Sequence, residues 1–123
     1  MLEKVALKLE LKGVVEVFLS GVISLLKDVL VELSLYGSAA RGEMREGSDV
    51  DVLVIVKGGR GDALRALESI YDSLGDLWVD LVAEGCLLEL TIICEDEWRS
   101  MIERGFSFPM NVEEDKIVLY RGS

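Results

Sequence analysis

The chain has 123 residues, half of them apolar, and carries a formal net charge of −10 at pH 7. This length is enough for one domain with its own hydrophobic core, so we expect a single domain over residues 1–123. The acidic balance argues against a protein that binds DNA or RNA non-specifically through phosphates. Because no apolar run is long enough to span a membrane and no secretory leader opens the chain, we expect a cytoplasmic protein.

The composition also limits the kinds of catalytic and metal site. The chain has no histidine and two cysteines, Cys86 and Cys94, which excludes zinc sites built from Cys and His and any histidine-based triad. We expect both cysteines to be reduced and buried. The sequence contains no glutamine and a single asparagine, Asn111. This depletion of thermolabile amides suggests a thermophilic source.

Hydrophobic periodicity predicts helices alternating with strands. In the first half of the chain we expect a helix over 2–26, a strand over 30–36, a turn with a short helix over 37–47, and a strand over about 49–57. A glycine-rich loop over 57–61 then leads to a helix from the N-cap Asp62 to Gly85 and a strand over Leu87–Cys94. The last elements expected are a helix from Glu95 or Asp96 to Gly105, an apolar turn at 106–109, and a strand over Ile117–Tyr120.

The first two strands flank the stretch that carries the chemistry. Strand periodicity is two, so Asp49 and Asp51 point to the same side of the second strand. Two carboxylates about 5 Å apart repel by roughly 3 kcal/mol at an effective dielectric near 20. A hard cation such as Mg²⁺ removes that cost, because it binds carboxylates together with substrate phosphates. Gly37 and Ser38, in the turn just before, can supply backbone N–H groups and a hydroxyl to such phosphates.

The spacing of these residues resembles a known signature. Gly37-Ser38, then ten residues, then Asp49-Val50-Asp51 is similar to the motif of the nucleotidyltransferase superfamily that includes DNA polymerase beta. The flanking Ala40–Glu43 and Ser48 resemble most its minimal nucleotidyltransferase (MNT) branch. The resemblance covers about residues 30–120. It implies an α+β fold (α/β-like), the nucleotidyltransferase fold, with a small mixed β-sheet flanked by helices.

The resemblance also implies a third acidic residue on a neighbouring strand. Glu89, in the third predicted strand, falls where MNT-like proteins usually carry aspartate. Taken alone, it would be read as a glutamate at a strand edge. Asp80 is the competing candidate, although it lies within a helical apolar stripe.

The implied activity is metal-dependent transfer of a nucleoside monophosphate to a hydroxyl, with ATP as the expected donor of AMP and another nucleoside triphosphate as the alternative. Asp49, Asp51 and Glu89 would bind Mg²⁺, and Glu89 could also accept the hydroxyl proton. Gly37 and Ser38 would hold the β- and γ-phosphates. Arg41 would stabilise the departing pyrophosphate, or else pair with Glu43 on the surface.

Larger relatives of this superfamily carry a further domain that binds the acceptor, and this chain leaves no residues for one. Specificity should then come from a homo-oligomer or a partner protein. In the MNT branch the usual partner is a HEPN-type helical toxin whose tyrosine receives AMP, which would make this chain an antitoxin. Two other interpretations stay open. The chain could be a weakly active or inactive module that neutralises a partner by contact, or an adenylyltransferase of a drug or sugar hydroxyl.

Overall fold

The computed structural model describes residue 2 and residues 9–42 and 50–122. Its elements, in chain order, are α1 (Leu9–Leu26), β1 (Leu30–Tyr36), β2 (Val50–Val56), α2 (Arg60–Ala83), β3 (Leu88–Cys94), α3 (Glu95–Glu103), α4 (Ser107–Asp115) and β4 (Ile117–Arg121). The four predicted strands are confirmed to within one residue at every end. No helix within the described ranges is long and apolar enough to cross a membrane.

The strands form one mixed sheet in the order β3-β2-β1-β4. β1 runs antiparallel to both β2 and β4, whereas β2 and β3 are parallel. A parallel pair needs a crossover connection, and α2 provides it. The prediction of a small mixed sheet flanked by helices is therefore confirmed.

Each face of the sheet has its own hydrophobic core. On one face Leu33, Val52 and Val54 pack among residues that include Phe18 of α1 and Ile70 of α2. On the other face Leu53 and Ile55 pack with residues of α3 and α4. The alternation of side chains along β2 produces this arrangement, because successive residues point to opposite faces. Cys86 and Cys94 are both buried thiols, as predicted.

The predicted apolar turn at 106–109 is wrong, because this segment opens helix α4. Pro109 sits in the first turn of the helix, where a missing N–H costs nothing. Phe108 and Val112 are four residues apart and lie on the same side of the helix. Both pack into the core that α3 shares with the sheet.

Helix α2 begins earlier than predicted. Its N-cap is Gly59, and Asp62 occupies the third helical position, where its Oδ2 accepts a hydrogen bond of 2.9 Å from the Gly59 N–H. The helix runs unbroken through Gly75 and ends before Gly85, whose φ of +88° closes the C-terminus. The predicted stop at Gly85 is confirmed, and the predicted N-cap at Asp62 is wrong by three residues.

Gly75→Ala should stabilise the protein by about 1 kcal/mol, because alanine costs less chain entropy than glycine in a helix interior. Apart from its two chain neighbours and the backbone of α2, no described residue lies within 4 Å of a Cβ built at Gly75. Chemical denaturation would measure the gain. Gly21→Ala in α1 is the matched control, because its Cβ would meet Leu74 Cδ2 at 3.0 Å. We expect it to gain less or to destabilise; an equal gain would contradict this reading.

A buried ion pair joins β1 to the start of β4. Lys116 Nζ lies 2.9 Å from Glu32 Oε2, and both side chains are about 90% buried. Ser34 donates a hydrogen bond of 2.7 Å to the same oxygen, and Arg121 Nε lies 3.4 Å from Glu32 Oε1. Burial alone would raise the pKa of Glu32, but these hydrogen bonds and positive charges outweigh it and hold the pKa below its ordinary value.

Candidate active site

The sheet register brings together residues that are far apart in the sequence. Tyr36 at the end of β1 is the register partner of Asp51 on β2. Asp51 is in turn the register partner of Glu89 on β3. Register partners on neighbouring strands point to the same face, so the three side chains form a row across the sheet. Asp51 is half-buried and Glu89 exposed, which leaves this row accessible from solvent.

The pKa of Tyr36 responds to the charges of the other two residues in the row. Its pKa is raised, mainly by burial and further by the negative charges of Asp51 and Glu89. A hydrogen bond of 3.0 Å between Tyr36 Oη and Thr91 Oγ1 acts in the opposite direction. The charges of both carboxylates therefore reach one phenol on the α3–α4 face of the sheet.

The turn after β1 lies close to Asp51, the middle residue of this row. Gly37 has φ = +73°, a conformation that glycine adopts at no steric cost. A Cβ at this position would lie 2.5 Å from Asp51 Oδ2. The Arg41 N–H donates to the Gly37 carbonyl at 3.1 Å, and Ala39 is fully buried beneath the turn. Residues 37–42 form a turn rather than a helix, and the remainder of the predicted turn-with-helix lies outside the described residues.

Gly37→Ala should lower the free energy of unfolding by more than the 1–2 kcal/mol that a left-handed backbone costs a residue with a Cβ. The added methyl must also displace the Asp51 carboxylate. Gly42→Ala is the matched control, because Gly42 has φ = +74° but, its chain neighbours apart, no described residue lies within 4 Å of a Cβ built there. Urea denaturation of both variants isolates the contact with Asp51; equal losses would contradict the geometry.

Arg41 faces helix α4 across a cleft. Its Nη1 lies 3.5 Å from Asp115 Oδ2, with both side chains partly exposed. The alternative partner considered from the sequence, Glu43, lies outside the described residues. The cleft has a volume of about 260 Å³ and is bounded by Tyr36, Gly37 and Arg41 on one side and by α4 on the other. Sequence reasoning missed the α4 side, because residues 106–109 were interpreted as a turn.

The described carboxylates suit a hard cation in part. Asp51 and Glu89 are neighbours on parallel strands, and carboxylate oxygens are the ligands that Mg²⁺ prefers. Within residues 9–42 and 50–122, no group of three acidic or cysteine side chains could hold a metal ion. Asp49, the remaining predicted ligand, lies outside the described residues. Asp80, the competing third acid, is exposed on α2, the helix that packs on the opposite face of the sheet.

Ser38 follows Gly37 in the turn and is half-buried. Five of the six predicted site residues are described: Gly37, Ser38, Arg41, Asp51 and Glu89. They lie in the turn after β1 and at the amino ends of β2 and β3, where strand ends meet at one edge of the sheet. This arrangement places the groups that were predicted to bind phosphate next to paired carboxylates, a combination suited to metal-assisted chemistry on a phosphate ester.

The sequence of this chain is similar to those of known proteins. A family model described as a nucleotidyltransferase domain matches residues 15–119. A predicted protein adenylyltransferase of Methanocaldococcus jannaschii is 43% identical over 49 residues, which is 40% of this chain and 50% of that protein. The chain thus matches only half the length of this curated relative.

Solved structures give a similar picture at lower identity. The spectinomycin adenyltransferase of Enterococcus faecialis, solved with ATP and spectinomycin, superposes with a TM-score of 0.60 at 17% identity over 93% of this chain and 56% of that one. At this identity the likeness shows the fold alone. A predicted nucleotidyltransferase of Sulfolobus solfataricus has a TM-score of 0.46 at 19% identity, covering 89% of this chain and 78% of that one. A toxin–antitoxin structure with AMP-PNP has a TM-score of 0.46 at 17% identity, covering 85% and 73%.

Proposed function

Because this chain belongs to the nucleotidyltransferase domain family, we propose that it transfers AMP from ATP to a hydroxyl group. The observation that carries the proposal is the register pair Asp51–Glu89, set against a glycine turn that approaches Asp51. A strand position beside a core has no structural need for two adjacent carboxylates, whose mutual repulsion costs free energy. A cation bound together with a phosphate-bearing substrate would offset the repulsion between the two carboxylates.

The reaction forms one bond and breaks one. The acceptor oxygen bonds to the α-phosphorus of ATP, and the bond from that phosphorus to the oxygen bridging to the β-phosphate breaks. Pyrophosphate leaves with the electron pair, and the hydroxyl proton passes to the Glu89 carboxylate. A positioned general base of this kind typically contributes 10²–10⁴-fold to the rate.

Each site residue has a role in this scheme. Asp49, Asp51 and Glu89 would hold Mg²⁺, which when bound would stabilise charge on the phosphates and make the acceptor hydroxyl more acidic. Backbone N–H groups of the Gly37 turn and the Ser38 hydroxyl would bind the β- and γ-phosphates. Arg41 would leave Asp115 to bind the pyrophosphate, because a guanidinium matches phosphate geometry in a bidentate manner.

For the acceptor we propose a tyrosine of a HEPN-type helical partner, with this chain acting as its antitoxin in the cytoplasm. The resemblance to the MNT branch supports this choice, as does the similarity to half of a Methanocaldococcus relative that is described as a predicted protein adenylyltransferase. The net charge of −10 would favour docking to a basic surface.

Transfer of label from α-³²P-ATP tests the proposal. With Mg²⁺ and the HEPN-type partner present, we expect label on the partner, a loss with EDTA, and a loss of about 10²–10⁴-fold in Glu89→Gln. Complete proteolytic digestion of the labelled partner should yield AMP-tyrosine. Glu103→Gln, which alters an exposed glutamate at the end of α3, is the matched control and should retain transfer.

Two other outcomes would replace the proposal with the alternatives considered from the sequence. If the partner is neutralised without label, and neutralisation survives Asp49→Asn combined with Asp51→Asn, the chain acts by contact alone. If ATP is consumed with a sugar or aminocyclitol and label stays in the acid-soluble fraction, the acceptor is a small molecule.

A further inference from the structure

We propose that the cleft between the Gly37 turn and helix α4 binds the nucleoside half of the triphosphate, and that Asn111 makes it selective for adenine over guanine. This inference rests on the proposed function and extends it to the choice of nucleotide. The nucleobase contacts would come from α4, the helix that the sequence pattern did not reveal.

The position of the cleft points to the nucleotide. Gly37 and Arg41, which line it, are the residues assigned to the phosphates. Tyr36, which also lines it, is the register partner of Asp51. A molecule with its phosphates on the Gly37 turn can therefore extend directly into the cleft. The volume of about 260 Å³ is below the roughly 300–1,000 Å³ of pockets that enclose a whole drug-sized ligand, so the cleft takes part of the nucleotide.

The apolar part of the lining is aromatic and fixed in place. Tyr36 and Phe108 meet edge to face, with ring centroids 5.7 Å apart and planes at 84°. Phe108 also contacts Trp98 of α3, with centroids 6.2 Å apart. Aromatic faces stack on nucleobases with about 1–3 kcal/mol per base. Because its neighbours already hold Phe108, stacking a base on it would cost little side-chain entropy.

Asn111 contributes a side-chain amide to the α4 side of the cleft. In a chain with no glutamine and no other asparagine, the only side-chain amide lines the cleft. A carboxamide carries one acceptor and two donors side by side. It can pair in bidentate fashion with adenine, which offers N6–H₂ as donor and N7 as acceptor. Guanine offers two acceptors on the same edge, so one half of the amide pair would be lost.

The charged part of the lining suits a ribose. Glu114 and Asp115 line the cleft about two helical turns from Phe108 along α4. Carboxylates accept hydrogen bonds from ribose hydroxyls, as the acidic residue of dinucleotide-binding folds does. Arg41 lies 3.5 Å from Asp115, and a ribose hydroxyl would replace it as the partner of Asp115 when Arg41 binds the pyrophosphate.

Calorimetric titration with ATP and with GTP, each with Mg²⁺, tests the inference without any acceptor. We expect the full chain to bind ATP at least about tenfold more tightly than GTP, the equivalent of one good bidentate pair. Asn111→Leu should bring the two Kd values together. Asn111→Asp should keep a preference for ATP, because a carboxylate can still accept a hydrogen bond from adenine N6–H₂ but meets two acceptors on the same edge of guanine. Glu103→Gln, on α3, should leave the ratio unchanged.

The ratio of Kd values separates this inference from the proposed function. An added charge in Asn111→Asp weakens both nucleotides equally and so cancels in the ratio. If the wild type binds ATP and Asn111→Leu retains its preference, the inference is overturned while nucleotidyl transfer stands. If Asn111→Leu instead raises the KM of the acceptor alone, the cleft belongs to the acceptor and the inference again fails. A ratio that responds as expected in a chain without transfer activity would support the inference and reject the proposed function.

Discussion

Asp51→Asn should lower the rate of nucleotidyl transfer by about 10³-fold or more while the protein stays folded. The substitution preserves shape but removes the charge that would hold the cation, and metal coordination of a phosphoryl oxygen is worth several kcal/mol of transition-state stabilisation. Asp51 lies against the Gly37 turn and beside Glu89, the position from which it would hold the cation next to the phosphates. Single-turnover transfer of α-labelled ATP would measure the loss.

The matched control for this prediction is Asp72→Asn, which removes an equivalent charge from the exposed surface of α2. Transfer by this variant should stay within a factor of two of the wild type, since surface substitutions rarely matter. Circular dichroism and thermal melting would check that both variants fold. Activity in Asp51→Asn within tenfold of the wild type would remove Asp51 from the catalytic site.

The same variant tests the geometry of the row by a second route. The negative charge of Asp51 helps to raise the pKa of Tyr36, after the larger effect of burial. Asp51→Asn should therefore lower the pKa of Tyr36, a change that alkaline titration of tyrosinate absorbance can follow. Tyr36→Phe identifies which of the three tyrosines gives the signal. This readout needs no substrate, so it separates a misplaced carboxylate from a wrong activity.

The sequence contained enough information for the central strands and the turn between them. The alternation from Val50 to Val56 gave β2 its two buried faces, and the left-handed Gly37 follows from the need for a tight exit from β1. The Gly37-Ser38 motif pointed to the nucleotidyltransferase family, which the family match over residues 15–119 confirms. The roles of individual site residues and the thermophilic source stay predictions.

The register between β2 and β3 could not be predicted from hydrophobic periodicity. Whether Glu89 or Asp80 accompanies Asp51 depends on how β3 aligns with β2, two strands joined by a 24-residue helix. A shift of one residue would turn Glu89 to the other face. The resemblance favoured Glu89, and the register pairs it with Asp51. No local pattern of apolar and polar residues would have distinguished them.

Helix α4 was not predicted from the sequence because of its amino-acid composition. Two phenylalanines, a proline and the glycine just before them are typical of a turn, yet the segment folds as a helix because Phe108 and Val112 find a core on the sheet. Tertiary packing supplied the stability that local propensity did not. The cleft beside Tyr36 became visible only with this helix in place.

Lys116→Met should lower the free energy of unfolding by about 3 kcal/mol, the low end for breaking a buried ion pair. The substitution leaves the Glu32 carboxylate, 84 residues away in sequence, in a largely buried position. Ser34 and Arg121 would still contact it, the latter from an exposed position. Urea denaturation at neutral pH would measure the loss. Lys57→Met, at an exposed lysine after β2, should change stability by less than about 0.5 kcal/mol.

The pH dependence of this loss tests its cause. In the folded protein the pKa of Glu32 is lowered, because its hydrogen bonds and the nearby positive charges outweigh the effect of burial. A lowered pKa stabilises the fold above the unfolded value, about 4.3 for glutamate, and that stability disappears as pH falls through the folded pKa. The difference between wild type and Lys116→Met should therefore be constant near neutral pH and shrink below about pH 4. At alkaline pH the pair should persist, because the pKa of Lys116 is raised: burial, which lowers it, is outweighed by its hydrogen bonds with Glu113 and Glu32. A difference that stays the same down to pH 3 would mean that lost packing of the lysine stem, rather than the buried charge, accounts for the effect.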